Sequence, residues 1–403
     1  MKYVVVLVDG MADYPIKELQ DRTPLEVADI PMIDLMAKHG EIGMVQTVPV
    51  GMAPGSDTAN LAVMGYPPRQ YHTGRSPLEA ASIGVTLKNT DVTFRCNLVT
   101  LAGSGAYETK KMVDHSSGDI TTEEAEILLS AVKERFETED HKFYKGVSYR
   151  HLLVWNNGTT QVELTPPHDI LEKEIRDFLP KGELSDWIRD MMIASFDVLD
   201  NHPINLKRKE RGLNPANSIW LWGEGVKPQL DNFYDKYGLK GSVISAVDLI
   251  NGIGILAGLR VISVSGATGT LHTNFKGKAQ AAIDALMGGD DYCYIHLEAP
   301  DECGHQGDLE GKIKSIELID DQVVKPIVDA LKDADEDLRM LIVPDHRTPI
   351  ALRTHTSEPV PYVLYDSRSK EVHETNAFSE TAAQKYGNFI PSGPELLNKL
   401  LQK

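Results

Sequence analysis

The chain has 403 residues, 41% hydrophobic and 25% charged, the balance of a globular protein with an ample apolar core. Its formal net charge of −18 argues against nucleic acid or an anionic membrane as principal partner, but not against a small anion in a local basic pocket. Three scattered cysteines (Cys96, Cys293, Cys303) imply no disulfide framework, and the longest apolar stretch, 243–264, is broken by Asp248, Asn251 and Arg260, so no membrane span is expected.

Residues Tyr3 to Val8 form an apolar, β-branched run, the pattern of a parallel strand buried on both faces, and the run ends in Asp9-Gly10. Because the chain enters this strand at once, no signal peptide is expected, and the reducing compartment implied by the cysteines is the cytoplasm. Ile30 to Lys38 reads as a helix, with Pro31 in its first turn and Gly40 closing it, and Ile42 to Val48 as the next strand. This β-α-β order predicts an α/β fold with a mostly parallel sheet flanked by helices. A Gly/Pro-rich loop, 49–55, then leads into a helix that starts near Ser56.

Between about 87 and 211 the texture changes. Charged helical segments (Glu123 to Phe136, Ile170 to Leu179, Leu184 to Leu199) surround short strands such as His151 to Trp155, and Thr121 with Glu124 makes a capping box. The expected organisation is therefore a core of residues 1–86 and 212–403, with a smaller α+β domain, 87–211, inserted into it. Buried-strand and helix alternation resumes near Ser218. Leu309 to Leu331 has helical apolar periodicity, and Tyr292 to Leu297 and Leu338 to Val343 read as buried strands.

The chemistry lies just past those strands. Asp301 and His305 follow the first, and Asp345, His346 and His355 follow the second. In open α/β sheets ligands collect at the carboxyl ends of strands. Carboxylates and imidazoles gathered there predict a metal centre, single or double, of a kind that suits Mn²⁺ or Zn²⁺. Asp9 ends a strand of the same sheet. Ser56 has two readings, a helix N-cap or a nucleophile whose alkoxide is stabilised by helix N–H groups and a metal. A metal pair would suit in-line phosphoryl transfer, and Arg75, Arg95, Arg150, Arg208 and Lys240, outside obvious charged helix faces, are candidate clamps for substrate anions.

Four segments then carry a family resemblance: Val6-Leu7-Val8-Asp9-Gly10, Pro54-Gly55-Ser56-Asp57-Thr58-Ala59-Asn60, the run from His296 to His305, and Pro344-Asp345-His346-Arg347-Thr348-Pro349. Together they resemble the cofactor-independent phosphoglycerate mutases of the archaeal type, within the alkaline phosphatase superfamily. The likeness spans nearly the whole chain, including Tyr149-Arg150-His151-Leu152-Leu153 and the stretch from Asn217 to Gly223. It implies an alkaline-phosphatase-like sheet with an inserted substrate-handling domain and two divalent metal ions, commonly Mn²⁺, with Mg²⁺, Co²⁺ or Zn²⁺ as variants. By motif, Asp301, His305 and His355 would hold one ion; Asp9, Ser56, Asp345 and His346 would hold the other. Ser56 would carry the phosphoryl group between 3- and 2-phosphoglycerate, and Arg150, Arg208 and Lys240 would be the foremost substrate clamps. The same metal core serves phosphatases, phosphodiesterases and phosphopentomutase, and relatives have been labelled possible homoserine kinases, so other phosphoryl acceptors stay open. A binding module with a degenerate site is the non-enzymatic alternative. The oligomeric state is not legible.

Overall fold

The computed structural model describes residues 1–182, 185–373 and 377–402. The chain divides into two compact units, residues 1–72 with 229–403, and residues 73–228.

The first unit is built on an eight-stranded sheet. Its elements are β1 (Lys2–Val8), α1 (Pro31–His39), β2 (Glu41–Val45), α2 (Ser56–Val63), β3 (Gly241–Ile244), β4 (Arg260–Val261), α3 (Phe275–Met287), β5 (Tyr292–Leu297), α4 (Ala299–Gln306), α5 (Leu309–Ile319), β6 (Leu338–Val343), β7 (Val360–Asp366), α6 (Glu380–Tyr386) and β8 (Asn388–Ile390). The strand order is β4-β3-β5-β1-β6-β7-β2-β8, and β7 alone runs against its neighbours. The sheet is therefore mostly parallel, as the β-α-β alternation predicted. Parallel strands need covered faces. Val4, Val6, Val8, Cys293, Ile295 and Leu297 pack on one face with Ala279, Ala282 and Leu286 of α3 and with Ile316 of α5, all fully or almost fully buried. Among the described residues no helix is long and apolar enough to cross a membrane.

Residues 309–333 keep their helical period, but with a π-type turn, Asp320–Val324, between α5 and the helix Lys325–Asp333. Asp320 turns inward there. Its carboxylate accepts hydrogen bonds from the backbone N–H of Ile33 (2.7 Å) and Met32 (3.2 Å), capping α1, whose own N-cap residue, Ile30, has no side-chain oxygen to do so.

In the second unit, strand 92–102 pairs antiparallel with strands 111–114, 150–155 and 218–226. The pairing with 218–226 carries this unit beyond the change of texture at 87 and 211. Helix Thr122–Phe136 forms as expected; Thr121 caps it, but Glu124 makes no reciprocal bond and instead pairs with Arg208 and Arg211. The helix expected over 184–199 spans Ser185–Leu199, and Leu184 lies outside the described residues. The helix expected over 170–179 does not form. Two 3₁₀ turns, Pro167–Ile170 and Arg176–Phe178, stand in its place, with Glu172 at a left-handed φ of 63°. The backbone between them bonds to residues 110–112 instead (Glu172 N to Met112 O 2.8 Å, Met112 N to Lys173 O 3.1 Å), so tertiary pairing overrides a helical pattern of side chains.

Candidate active site

In the parallel register of β5, β1 and β6, Val8 lies beside Leu297 and Leu7 beside Val343. Asp9, Glu298 and the Asp345-His346 pair therefore leave the sheet at one edge. At Gly10 the backbone has φ +63°, and a Cβ would meet Asp301 Cα at 2.6 Å and Thr348 Oγ1 at 2.7 Å. Only glycine lets the loop after β1 lie this close to α4 and to the loop after β6.

Helix α4 carries Asp301 and His305 one turn apart on a shared face. His305 Nε2 lies 3.3 Å from Asp301 Oδ2, and His355 Nε2 lies 3.4 Å from Asp301 Oδ1. The two Nε2 atoms are 2.9 Å apart. His305 Nδ1 donates to the carbonyl of Arg353 (3.0 Å), which turns its Nε2 toward Asp301. Although burial opposes it, hydrogen bonding from His305 and His355 holds the Asp301 carboxyl well below the usual range, and the same bond raises His305 to about 9.

The second group is Asp9, Asp345 and His346, all within 1% of complete burial. His346 Nε2 is 3.2 Å from Asp345 Oδ2 and 3.7 Å from Asp9 Oδ1. Ser56 joins them, its Oγ 3.4 Å from Asp9 Oδ2 and 3.3 Å from His346 Nε2. Gly55 occupies the N-cap position and Ser56 is the first residue of α2, so its hydroxyl is not used in capping and faces the acidic cluster. The N-cap reading of Ser56 is thereby excluded.

Among the described residues two sets of ligand atoms lie close enough to share an ion: Asp301 with His346 and His355, and Asp9 with Asp345 and His346. His346 belongs to both, and its ring stacks on that of His355 with centroids 3.9 Å apart. The fit to a divalent cation rests on this chain's own atoms. Asp9 Oδ1 is buried with no hydrogen-bond partner among the described residues, a costly state for a carboxylate oxygen. Burial, then the like charges of Asp345 and Asp301, push the Asp9 carboxyl well above its usual range. A cation among these oxygens would relieve both penalties.

Side chains with no obvious sequence signal hold the cluster in place. Asn60, one turn along α2, donates to Asp345 Oδ2 (3.2 Å) and to Ser56 O (2.9 Å), and accepts from Tyr294 OH (2.6 Å). Thr348 Oγ1 donates to Asp301 Oδ1. Beneath the loops, the fully buried Lys312 ammonium donates to Asp13 Oδ2 (2.7 Å) and Thr348 O (2.8 Å), and Arg347 donates to Asp13 O (2.7 Å). The loops after β1 and β6 are thus tied to α5. Asp13→Ala strands the Lys312 charge in the interior. We expect it to lower unfolding stability by about 3–5 kcal/mol in urea titration, and the double change Asp13→Leu with Lys312→Met to recover most of that loss.

The candidate anion clamps part company. In the second unit, Arg95 is buried, bonds Glu79 through Nε (3.0 Å) and lies with Cζ 4.2 Å over the Trp222 ring. Burial, offset in part by Glu79, lowers it to about 10, and the charges of Arg75 and Arg150 add to that. Arg75 shares Glu79 (3.2 Å), and Arg150 lies over Tyr149. His115 and His168, which sequence reasoning passed over, stand among them, with ring centroids 6.0 Å apart, His168 5.3 Å from Trp222 and His115 5.7 Å from Tyr149. Arg208 is placed differently. It is buried and bonds Ser117 O, Asn214 O and the Glu124 carboxylate with its three nitrogens, so it braces its own unit. Lys240 precedes β3, where its carbonyl accepts from Asp291 N and Tyr292 N, and it lines a cavity with Arg260, Asp284 and Asp290. That is the amino edge of the sheet, opposite Asp9, Asp301 and Asp345. Its place depends on strand register, which composition does not reveal.

A family model described as 2,3-bisphosphoglycerate-independent phosphoglycerate mutase matches residues 37–205. A probable enzyme of that name from Geobacter sulfurreducens is 48% identical over 403 residues, covering 100% of both chains, and one from Methanosarcina mazei is 46% identical with the same coverage. Among solved structures, a Pyrococcus horikoshii protein superposes with a TM-score of 0.82 at 26% identity, covering 100% of this chain and 97% of its own. The Thermoplasma acidophilum cofactor-independent phosphoglycerate mutase superposes with a TM-score of 0.65 at 23% identity, covering 100% and 99%, a likeness of fold. By its full-length identity to these relatives, the chain belongs to the 2,3-bisphosphoglycerate-independent phosphoglycerate mutase family.

Proposed function

We propose that this chain interconverts 3-phosphoglycerate and 2-phosphoglycerate in the cytoplasm through a phosphorylated Ser56, with no bisphosphoglycerate. The observation that carries this reading is the Ser56 hydroxyl, free of capping duty at the first position of α2 and facing Asp9 and His346. Asp9, Ser56, Asp345 and His346 would hold one divalent ion, and Asp301, His305 and His355 the other, with His346 close enough to reach both; Mn²⁺ is our choice for both, with Mg²⁺, Co²⁺ or Zn²⁺ as substitutes. When bound, such ions lower the pKa of a serine hydroxyl and neutralise phosphoryl oxygens.

In the first half-reaction Ser56 Oγ loses its proton and bonds to phosphorus, the bond from phosphorus to the C3 oxygen breaks, and that oxygen gains a proton. In the second, the glycerate C2 hydroxyl oxygen loses its proton and bonds to phosphorus, the bond from phosphorus to Ser56 Oγ breaks, and Oγ is protonated again. The N–H groups at the start of α2 favour anionic oxygens near Ser56 throughout. We assign recognition of the substrate's anionic groups to the second unit, read as the inserted substrate-handling domain, through Arg75, Arg95 and Arg150. Guanidinium groups suit carboxylate and phosphate, and His115 and His168 extend the polar surface of that cluster. Arg208 and Lys240 are left out of the assignment.

The test is an enolase-coupled assay with 3-phosphoglycerate and Mn²⁺, without 2,3-bisphosphoglycerate or nucleotide. Formation of 2-phosphoglycerate that stops with EDTA and returns with Mn²⁺ is the expected result. No turnover from protein that binds Mn²⁺ would instead favour another phosphoester or acceptor at the same site.

A further inference from the structure

We propose that His296 is a positioning residue that dedicates one oxygen of Asp9 to the protein and leaves the other for a divalent cation, an inference that rests on the metal reading of the site above.

β5 was legible only as an apolar run, yet its two faces differ. Cys293, Ile295 and Leu297 enter the hydrophobic core. Tyr294 and His296, on the alternate face, are fully buried and reach polar partners in the carboxylate cluster. Tyr294 acts on Asp345 through Asn60. His296 acts on Asp9 directly, its Nε2 lying 2.9 Å from Asp9 Oδ2. On the other side of the ring, Nδ1 meets Ser245 Oγ at 3.3 Å, just beyond the end of β3. Ser245 Oγ also accepts from Val247 N (2.9 Å), which fixes the hydroxyl. A chain of three side chains, Ser245, His296 and Asp9, therefore crosses three neighbouring strands at the carboxyl edge. Lys278 of α3 donates to the His296 carbonyl (3.0 Å) and anchors the backbone beneath it.

The consequence is an asymmetry in Asp9. Oδ2 is engaged by His296, with Ser56 Oγ nearby, whereas Oδ1 has no hydrogen-bond partner among the described residues. A carboxylate on a short side chain can rotate about χ2 and present either oxygen. Held at Oδ2, it presents Oδ1 toward His346 Nε2. Partners of this kind behind a ligand typically contribute 10–100-fold in metal affinity.

The experiment is a calorimetric titration of chelator-stripped full-length protein with Mn²⁺, for wild type, His296→Gln and His296→Asn. A glutamine amide nitrogen reaches about as far as Nε2 and restores the donor to Asp9. An asparagine amide reaches only as far as Nδ1 and can serve Ser245 alone. We expect wild type to bind two ions, His296→Gln to stay within a few-fold of it, and His296→Asn to lose about 10–100-fold at one site with the other unchanged. A purely structural role would lower the melting temperatures of both variants alike and leave both Mn²⁺ affinities at wild-type values, and that result would overturn the proposal. Wild type that binds no Mn²⁺ would overturn the metal reading itself, a distinguishable failure, because the inference alone fails only when wild type binds two ions and His296→Asn matches it.

Discussion

Replacing Ser56 by alanine is expected to abolish mutase turnover, by at least about 10⁴-fold in kcat, because no other group can substitute for a covalent nucleophile. The fold should survive. Ser56 does not cap α2, and Asn60 bonds its carbonyl rather than its hydroxyl, so alanine removes only the Oγ contacts to Asp9 and His346. Circular dichroism should match wild type and the melting temperature should change little. Residual turnover within about tenfold of wild type would rule out a phosphoserine route, since the loss of an essential nucleophile costs orders of magnitude more.

The second large effect is expected at His346, which belongs to both sets of ligand atoms and has no solvent exposure. His346→Ala should weaken both Mn²⁺ sites and lower kcat/KM by about 10³-fold or more, even at saturating metal, through the loss of electrostatic stabilisation at the phosphoryl group. His355→Ala is the informative contrast, because His355 stands only in the Asp301 set. Its Mn²⁺ titration should show one weakened site and one retained. If His346→Ala and His355→Ala each weakened a single site to the same degree, His346 would not be shared.

Much of this site was legible because each acidic ligand candidate lies within a few residues of the end of an apolar run of strand length. Asp9, Asp301 and Asp345 end up together because β5, β1 and β6 are parallel neighbours whose carboxyl ends coincide, and parallel β-α-β units bring strand ends to one edge. Asp301 and His305 are four residues apart, and the short helix α4 places them on one face. What escaped notice depends on distant pairing. His296 sits inside a run that counts as apolar, and only the strand's alternation against β1 and β3 turns its ring to Asp9 and Ser245. Asn60 lies within α2 and Lys312 within α5, and only the folded chain brings Asn60 to Asp345 and closes the loops after β1 and β6 over Lys312. Arg208 and Lys240 failed in the opposite direction. Nothing local shows that Arg208 spends its donors on Ser117 and Asn214, or that Lys240 enters β3 from the wrong edge. The missing helix at 170–179 has the same origin, since its side-chain pattern was outweighed by backbone pairing with residues 110–112.

Passage of the phosphoryl group by way of Ser56 is checked by mixing Mn²⁺-loaded protein with 3-phosphoglycerate carrying ¹⁸O in its phosphoryl group, quenching in acid within one turnover, and locating the label by peptide mass spectrometry. Acid-stable label on the peptide that contains Ser56, passing to 2-phosphoglycerate when the reaction is allowed to continue, is the predicted result. Product that gains the label while no labelled serine peptide is ever detected would contradict it.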